Sequence, residues 1–329
     1  MKTMLIDHHN RVHDYLRISL TDNCNLRCFY CMPEEDYAFM PNKQLMQKEE
    51  IVAMASLFVQ QGVKKIRLTG GEPLVRKDAA EIIQALGKLG VDLTITTNAT
   101  RIHLFMDDLK QAGVKSVNIS LDTLQQDKFQ LLTRRDQFGI VKENIDLLLA
   151  NDFRVKVNMV VVKGMNDHEI VDFIEWTKHI PIQIRFIEFM PFDGNKWNSD
   201  KLLTLQEMLT LIQARYRITP TQNEPNDTSK RYKIEGHKGS FAIISTMSNP
   251  FCSTCNRIRL TADGKIKNCL FSSSETDLLT PLREGADILP LIKQSIASKH
   301  KELGGQFSKD FEKIDTKELH NRSMIAIGG

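Results

Sequence analysis

Six short strand-like runs, each followed by a stretch of helical periodicity, constrain the fold of this chain more than any other feature. The runs cover residues 15–20, 65–68, 93–97, 116–121, 155–162 and 183–188. Between them apolar residues recur at helical spacing. Examples are Ile51, Val52, Ala55, Phe58 and Val59, then Ile82, Ile83, Leu86 and Leu89, then Val141, Ile145, Leu148 and Leu149. Gly62, Gly90 and Gly113 follow three such stretches, where helices stop. Repeated strand–helix units imply parallel strands, and six units fall short of a closed eight-unit barrel. The spacing predicts a further helix from Thr204, with Glu207 completing a capping box. The chain therefore reads as α/β: an incomplete, six-stranded β/α TIM-like barrel over residues 1–218, a polar linker or loop over 219–231, and a C-terminal region over 232–329. In that last region short strand patterns fall at 241–244, 258–260 and 264–267.

Parallel strands covered on both faces read as continuous apolar runs, and these do not. Successive side chains point to opposite faces. One face collects Leu16, Ile18, Ile66, Leu68, Leu93, Ile95, Val117, Ile119, Val155, Val157, Ile184 and Phe186. The other collects Arg17, Ser19, Lys65, Arg67, Thr69, Thr94, Thr96, Asn98, Asn118, Ser120, Lys156, Asn158 and Arg185. An antiparallel sheet with one wet face would alternate in the same way, but the intervening helices count against it. A curled sheet with a polar concave side accounts for both. Arg17, Lys65, Arg67, Lys156 and Arg185 would crowd that space, which is costly without counter-charge, so an anionic ligand is expected. A nucleoside triphosphate fits, because guanidinium forks match phosphate oxygens.

Overall charge narrows the partners. Lys and Arg number 44 against 41 Asp and Glu, a net +3, which argues against holding nucleic acid by bulk charge. The longest apolar run, residues 51–59, is far short of the ~20 residues a bilayer needs, so no membrane partner is expected. Residues 1–14 are charged and carry no secretory-type apolar stretch, so the cytoplasm is the expected location.

All six cysteines fall into two triads, Cys24, Cys28 and Cys31, and Cys252, Cys255 and Cys269. Such spacing in a cytosolic chain reads as metal ligation rather than disulfides. Soft thiolates suit zinc or iron–sulfur clusters. A closed zinc site takes four ligands, and His8, His9 or His13 could complete the first triad, so zinc stays open there. The second triad has no histidine close behind Cys255. Two incomplete triads suggest two cubane clusters, each leaving one iron free for chemistry.

The first triad, with spacing Cys24-x3-Cys28-x2-Cys31 and Tyr30 before its last member, directly follows the first strand. Thr69-Gly70-Gly71-Glu72-Pro73 follows the second. In these two segments the chain resembles the radical S-adenosylmethionine (SAM) superfamily. Cys252-x2-Cys255-x13-Cys269 with Arg257 and Arg259, and the ending Ile327-Gly328-Gly329, narrow the resemblance to the GTP 3′,8-cyclase family of molybdenum cofactor biosynthesis. Lys64-Lys65-Ile66-Arg67, Ser120-Leu121-Asp122, Lys156-Val157-Asn158 and the segment from Arg185 to Met190 extend it over nearly the whole chain. Ala99 departs from the pattern, where glycine is more usual.

The resemblance implies a lyase with two 4Fe–4S clusters and SAM as cofactors and GTP as substrate. It implies that Cys24, Cys28 and Cys31 hold the SAM cluster and that Tyr30, Gly71, Ser120 and Met190 contact SAM. It further implies that Arg17, Arg67, Thr96, Lys156, Arg185, Arg257 and Arg259 hold GTP, with Lys65 as an additional phosphate contact. Cys252, Cys255 and Cys269 would hold the second cluster, and Gly328 and Gly329 would reach the active site. The family also implies a flavodoxin- or ferredoxin-type electron donor, a downstream cyclic pyranopterin monophosphate synthase, and room for a homodimer. Two rival readings are a radical SAM peptide-modifying enzyme, with a wider and less cationic cavity, and a zinc-dependent nucleic-acid-binding module. The chain has no P-loop and no G-x-G-x-x-G, and His168-Glu169 lacks the second histidine of a zincin helix. Asp122 and Glu188 at strand ends could form an acid–base pair, though structural pairing with Arg67 or Arg185 is the stronger expectation.

Overall fold

A computed structural model of the chain describes residues 4–32, 37–307, 310–314 and 319–328. The six expected strands are present as β1 (Tyr15–Ser19), β2 (Lys65–Thr69), β3 (Asp92–Thr97), β4 (Ser116–Ser120), β5 (Arg154–Val161) and β6 (Gln183–Glu188). They lie side by side in chain order, all parallel. Helices run between them, among them Lys48–Gln60, Ala79–Gly87, Phe138–Ala150 and Ile170–Trp176. The helix Leu205–Gln213 starts at Thr204, where the Thr204 and Glu207 side chains cap each other's backbone N–H as predicted.

The sheet is wider than six strands. The remaining strands are β7 (Ile218–Pro220), β8 (Lys230–Ile234), β9 (Ser240–Ile244), β10 (Arg257–Leu260), β11 (Lys265–Lys267) and β12 (Thr276–Asp277). All join one 12-stranded sheet in the order β12-β11-β10-β1-β2-β3-β4-β5-β6-β9-β8-β7. β9 adds parallel to β6 and β10 adds parallel to β1, so the last third of the chain flanks the β/α units on both sides. The polar stretch expected as a linker belongs to this sheet at both ends. Ile218–Pro220 pairs antiparallel with β8, and residues 221–229 are the loop between the two.

The predicted apolar face is the core. Leu16, Ile18, Ile66, Leu68, Ile95, Val117, Ile119, Val157, Ile184 and Phe186 are fully buried against Ile51, Phe58, Ile82, Leu86, Ile145, Leu148 and Phe173 of the helices. Each such side chain contributes about 1.5–3 kcal/mol by leaving water, so the outer layer is what holds the strands in register. The opposite face is thereby free to be polar. Among the described residues no helix is long and apolar enough to cross a membrane.

Candidate active site

Strand pairing turns the alternating pattern into rows of side chains on the concave face. Arg259, Arg17 and Arg67 are register partners across β10, β1 and β2. Arg257, Tyr15, Lys65 and Asp92 form the adjoining row. Thr96, Asn118 and Lys156 align across β3, β4 and β5, and Ser120, Asn158 and Arg185 across β4, β5 and β6. These rows surround one cavity of about 480 Å³. Every candidate site residue from Arg17 to Cys269 lines it, including Gly71, Met190 and both cysteine triads.

The two triads sit at opposite ends of the strands. Cys24, Cys28 and Cys31 follow the carboxyl end of β1. Cys252 and Cys255 precede the amino end of β10, which is parallel to β1, and Cys269 follows β11, which returns antiparallel. All six thiols are free. Burial raises the first triad: Cys24 is pushed up to about 11, with Glu72 adding to the effect, and Cys28 goes well above the thiol range. Burial would also raise Cys255, but Lys299 and Arg257 outweigh it and bring the thiol down to about 7. Among the described residues no group of three or more His, Cys, Asp or Glu side chains is arranged around a single metal ion. Each triad thus offers three soft donors to the cavity and, among the described residues, no fourth, a donor set that fits a cluster with one open iron better than closed tetrahedral zinc.

The Gly70-Gly71 turn docks on the backbone of the first triad's loop. The Gly71 and Glu72 N–H groups donate to the Thr21 and Asn23 carbonyls, both at 2.8 Å. A Cβ on Gly71 would lie 2.6 Å from the Asp22 carbonyl oxygen, and one on Gly70 2.6 Å from that of Thr21. The glycines are therefore needed for approach to the protein's own loop. Buried Glu72 ties this turn to the end of β3, accepting from Thr97 Oγ1 at 2.8 Å and from the Asn98 N–H at 2.6 Å. Thr97 is thereby occupied, whereas Thr96 Oγ1 has no hydrogen-bond partner among the described residues. Thr96 is the threonine whose hydroxyl is available to a ligand.

The cation lining is under electrostatic pressure. Burial and the neighbouring cations lower Arg17, Arg185 and Arg259, although a guanidinium stays protonated. Lys156, which can lose its proton, falls to about 7 through burial first, then Arg185 and Arg67. Lys65 is relieved by Asp92 at 2.5 Å. The Nε atoms of Arg67 and Arg185 are buried without a hydrogen-bond partner among the described residues. The wall is built for an anion of several charges.

Two expectations of pairing are corrected. Asp122 does not meet an arginine: it accepts from the Tyr30 hydroxyl at 2.6 Å and from the Val160 N–H at 2.9 Å. Glu188 accepts from the Leu205, Met247 and Ser248 N–H groups and anchors the segment after β9. Asp122 caps a β5 backbone N–H just beyond the end of β4, and Glu188 holds the chain after β9 and at the start of the Leu205–Gln213 helix, needs the strand pattern does not reveal. The chain end does reach the site. Gly328 is buried, its carbonyl accepts from Arg259 at 2.7 Å, and a Cβ there would come within 2.8 Å of Thr69 Oγ1. Gly329 lies outside the described residues.

The Radical SAM superfamily model matches residues 18–177, and the Molybdenum Cofactor Synthesis C model matches residues 182–304. The GTP 3′,8-cyclase of Listeria welshimeri is 43% identical over 333 residues, covering 99% of both chains. The chain belongs to the GTP 3′,8-cyclase family. The mitochondrial GTP 3′,8-cyclase of Arabidopsis thaliana is 47% identical over 99% of this chain and 84% of its own length. The chain spans about half the length of other curated relatives, such as Molybdenum cofactor biosynthesis protein 1 of Dictyostelium discoideum, at 45% identity and 52% of that protein. Among solved structures, Streptococcus suis SuiB bound to S-adenosylmethionine shares the α/β fold, with TM-score 0.60 and 16% identity over 97% of this chain and 78% of that one.

Three cavity residues of this GTP 3′,8-cyclase family member escape the sequence reading. Tyr15 is two residues before Arg17, so its face was readable. Its ring takes the Lys65 Nζ at 5.6 Å and the guanidinium carbons of Arg67 and Arg257 at 5.7 and 5.8 Å from its centroid. Asp227 was hidden inside a polar, proline-containing stretch with no periodicity, and Arg231 in the short strand that directly follows it.

The departure at Ala99 has a structural consequence. Ala99 is fully buried with φ +64°, its N–H bound to Thr97 Oγ1 and its carbonyl to Asn144. A left-handed non-glycine residue costs about 1–2 kcal/mol. Ala99→Gly is expected to raise unfolding stability by about 1 kcal/mol or slightly less, read as a higher urea midpoint at unchanged slope. A lower midpoint would contradict the assigned backbone conformation.

Proposed function

We infer that this chain is a radical SAM GTP 3′,8-cyclase acting in the first step of molybdenum cofactor biosynthesis. The reaction removes the ribose 3′ hydrogen of GTP and closes C3′ onto guanine C8, giving (8S)-3′,8-cyclo-7,8-dihydroguanosine 5′-triphosphate. The observation that carries this reading is that both cysteine triads open on one cation-lined cavity. The same cations weigh against the peptide-modifying alternative. The wider architecture is read as a six-unit partial barrel, with residues 232–329 as the part that carries the second cluster and the Gly-Gly tail.

Cys24, Cys28 and Cys31 would hold a 4Fe–4S cluster that, with SAM, supplies a 5′-deoxyadenosyl radical by one-electron reduction. Tyr30, Gly71, Ser120 and Met190 would seat SAM at that end. The Arg259–Arg17–Arg67 row, with Thr96, Lys156, Arg185 and Arg257, would hold GTP mainly by its phosphates, and Lys65 would add a further contact. Cys252, Cys255 and Cys269 would hold a second 4Fe–4S cluster, leaving a place for the guanine edge. Gripping both ends of GTP keeps C3′ near C8, an orientation effect that converts much of the entropy of ring closure into binding. Gly328, bound to Arg259, brings the tail to the substrate wall, and Gly329 would extend it. An electron would come from a flavodoxin- or ferredoxin-type donor, and the product would pass to cyclic pyranopterin monophosphate synthase. Six free thiols suit the reducing cytoplasm.

Anaerobic purification tests the reading. About eight irons with matching sulfide per chain are expected, along with 5′-deoxyadenosine formed in step with cyclised GTP. Zinc without sulfide, or SAM cleavage unaffected by GTP, would overturn it.

A further inference from the structure

Besides Lys65, a second cavity cation has a counter-ion built into the chain. Arg231 on β8 lies in the row of Arg185: Arg185 is the register partner of Ala242 on β9, and Ala242 of Arg231. Register partners project from the same face, and the methyl group of Ala242 leaves the space above it to the two guanidiniums, which both line the cavity. Arg231 Nη2 is 2.8 Å from Asp227 Oδ2 and 2.9 Å from Oδ1, while its Nε is buried without a hydrogen-bond partner among the described residues.

Asp227 sits in the loop 221–229, which straddles the two flanks of the sheet. Its neighbour Asn226 accepts from Arg257 on β10 at 2.8 Å, and its own carboxylate binds Arg231 on β8. The loop also supplies Glu224, Thr228 and Ser229 to the cavity wall. Asp227 therefore places one negative charge against a ring of positive ones. The ion pair is partly exposed, with side chains 33% and 21% accessible, so it is weak and exchangeable. A phosphate group offers more charge and a better match to the guanidinium fork than a single carboxylate.

We propose that Arg231 is a polyphosphate-binding residue held in reserve by Asp227. The outermost phosphate of the nucleotide displaces the Asp227 carboxylate and takes over Arg231, so the pair discriminates nucleotides by phosphate number. The Arg231 side chain is 33% accessible whereas Arg67 and Arg259 are each 6% exposed, so a nucleotide gripped at the buried row would offer Arg231 its outermost, most solvent-facing phosphate. The proposal rests on the reading that a nucleoside triphosphate occupies this cavity.

Equilibrium binding of GTP and GMP to the anaerobically reconstituted full chain tests it. Arg231→Gln is expected to weaken GTP binding about tenfold and GMP binding by less than about twofold. Asp227→Asn, which keeps the side-chain shape and removes the competing charge, is expected to tighten GTP binding about threefold. Arg231→Lys should fall between wild type and Arg231→Gln, because it keeps the charge and loses the fork. Equal loss for GTP and GMP in Arg231→Gln, or no loss, overturns the proposal, as does unchanged or weaker GTP binding in Asp227→Asn. A wild-type chain that does not bind GTP overturns the proposal and the reading beneath it together.

Discussion

Cys28→Ala is expected to abolish SAM cleavage, with 5′-deoxyadenosine falling below detection under reducing, oxygen-free conditions. Cys28 would supply one of three donors in the loop after β1, and no other cysteine of the chain is near enough in the fold to replace it: the second triad lies at the opposite ends of the strands. Two thiolates would be too few to retain the proposed cluster, for which the loop offers only three cysteines. The loop itself should survive. The Cys28 carbonyl, which accepts from the Cys31 and Met32 N–H groups at 3.0 and 2.9 Å, is unaffected by the substitution. The side chain packs at the edge of the main core, so the loss of stability should be about 1 kcal/mol. Cys24→Ala and Cys31→Ala should behave alike. GTP binding at the cation rows should persist in these variants, and retained SAM cleavage in any of them would refute the ligand assignment.

Arg67→Ala should weaken GTP binding about 10- to 100-fold, the loss of one or two charge-assisted phosphate contacts, while leaving the folded protein as stable or more stable. The opposite signs separate a binding role from a structural one. Arg67 is 6% exposed, next to Arg17 in register and stacked by Tyr15, with no carboxylate salt bridge among the described residues. Removing a buried, repelled charge relieves strain in the free protein. The pH dependence carries the same signature. Lys156 titrates near 7 in the free protein because burial, Arg185 and Arg67 disfavour its charge. Bound phosphates favour that charge, so GTP binding takes up a proton and affinity falls as pH rises from about 7 toward the bound-state value. In Arg67→Ala one repelling charge is gone, so the fall should move to higher pH. Calorimetry in buffers of different ionisation enthalpy reads the proton uptake directly. No proton uptake above pH 7, with GTP affinity intact in Arg67→Ala, would refute the clamp.

Much of this site was legible from residue order because it rests on local periodicities. A strand repeats every two residues, so Arg17, Arg67, Thr96, Lys156 and Arg185 had to share a face once Leu16, Ile66, Ile95, Val157 and Ile184 were committed to the core. Cys24, Cys28 and Cys31 lie within one loop, so their spacing alone brought them together. The partners of Asp122 and Glu188 were not legible, since both bind backbone groups whose exposure depends on where the chain leaves the sheet. Asp227 lies in a loop and carried no periodic signal, and Arg231 sits in a five-residue strand where the alternation of Tyr232 and Ile234 is too brief to mark a sheet face without its neighbours.

The order of residues by itself determined the six β/α units, the polar concave face and the grouping of thiols into threes, because each follows from contacts within a few positions of the chain. Only the tertiary structure decided that β10 returns beside β1 and β9 beside β6. That pairing sets the second triad opposite the first and brings Arg259 into line with Arg17. It also carries the loop 221–229 across the two flanks and Gly328 onto Arg259. These are contacts between segments far apart in sequence. They form because the exposed edges of β1 and β6 have backbone hydrogen bonds to satisfy, a demand no local pattern assigns to a particular partner.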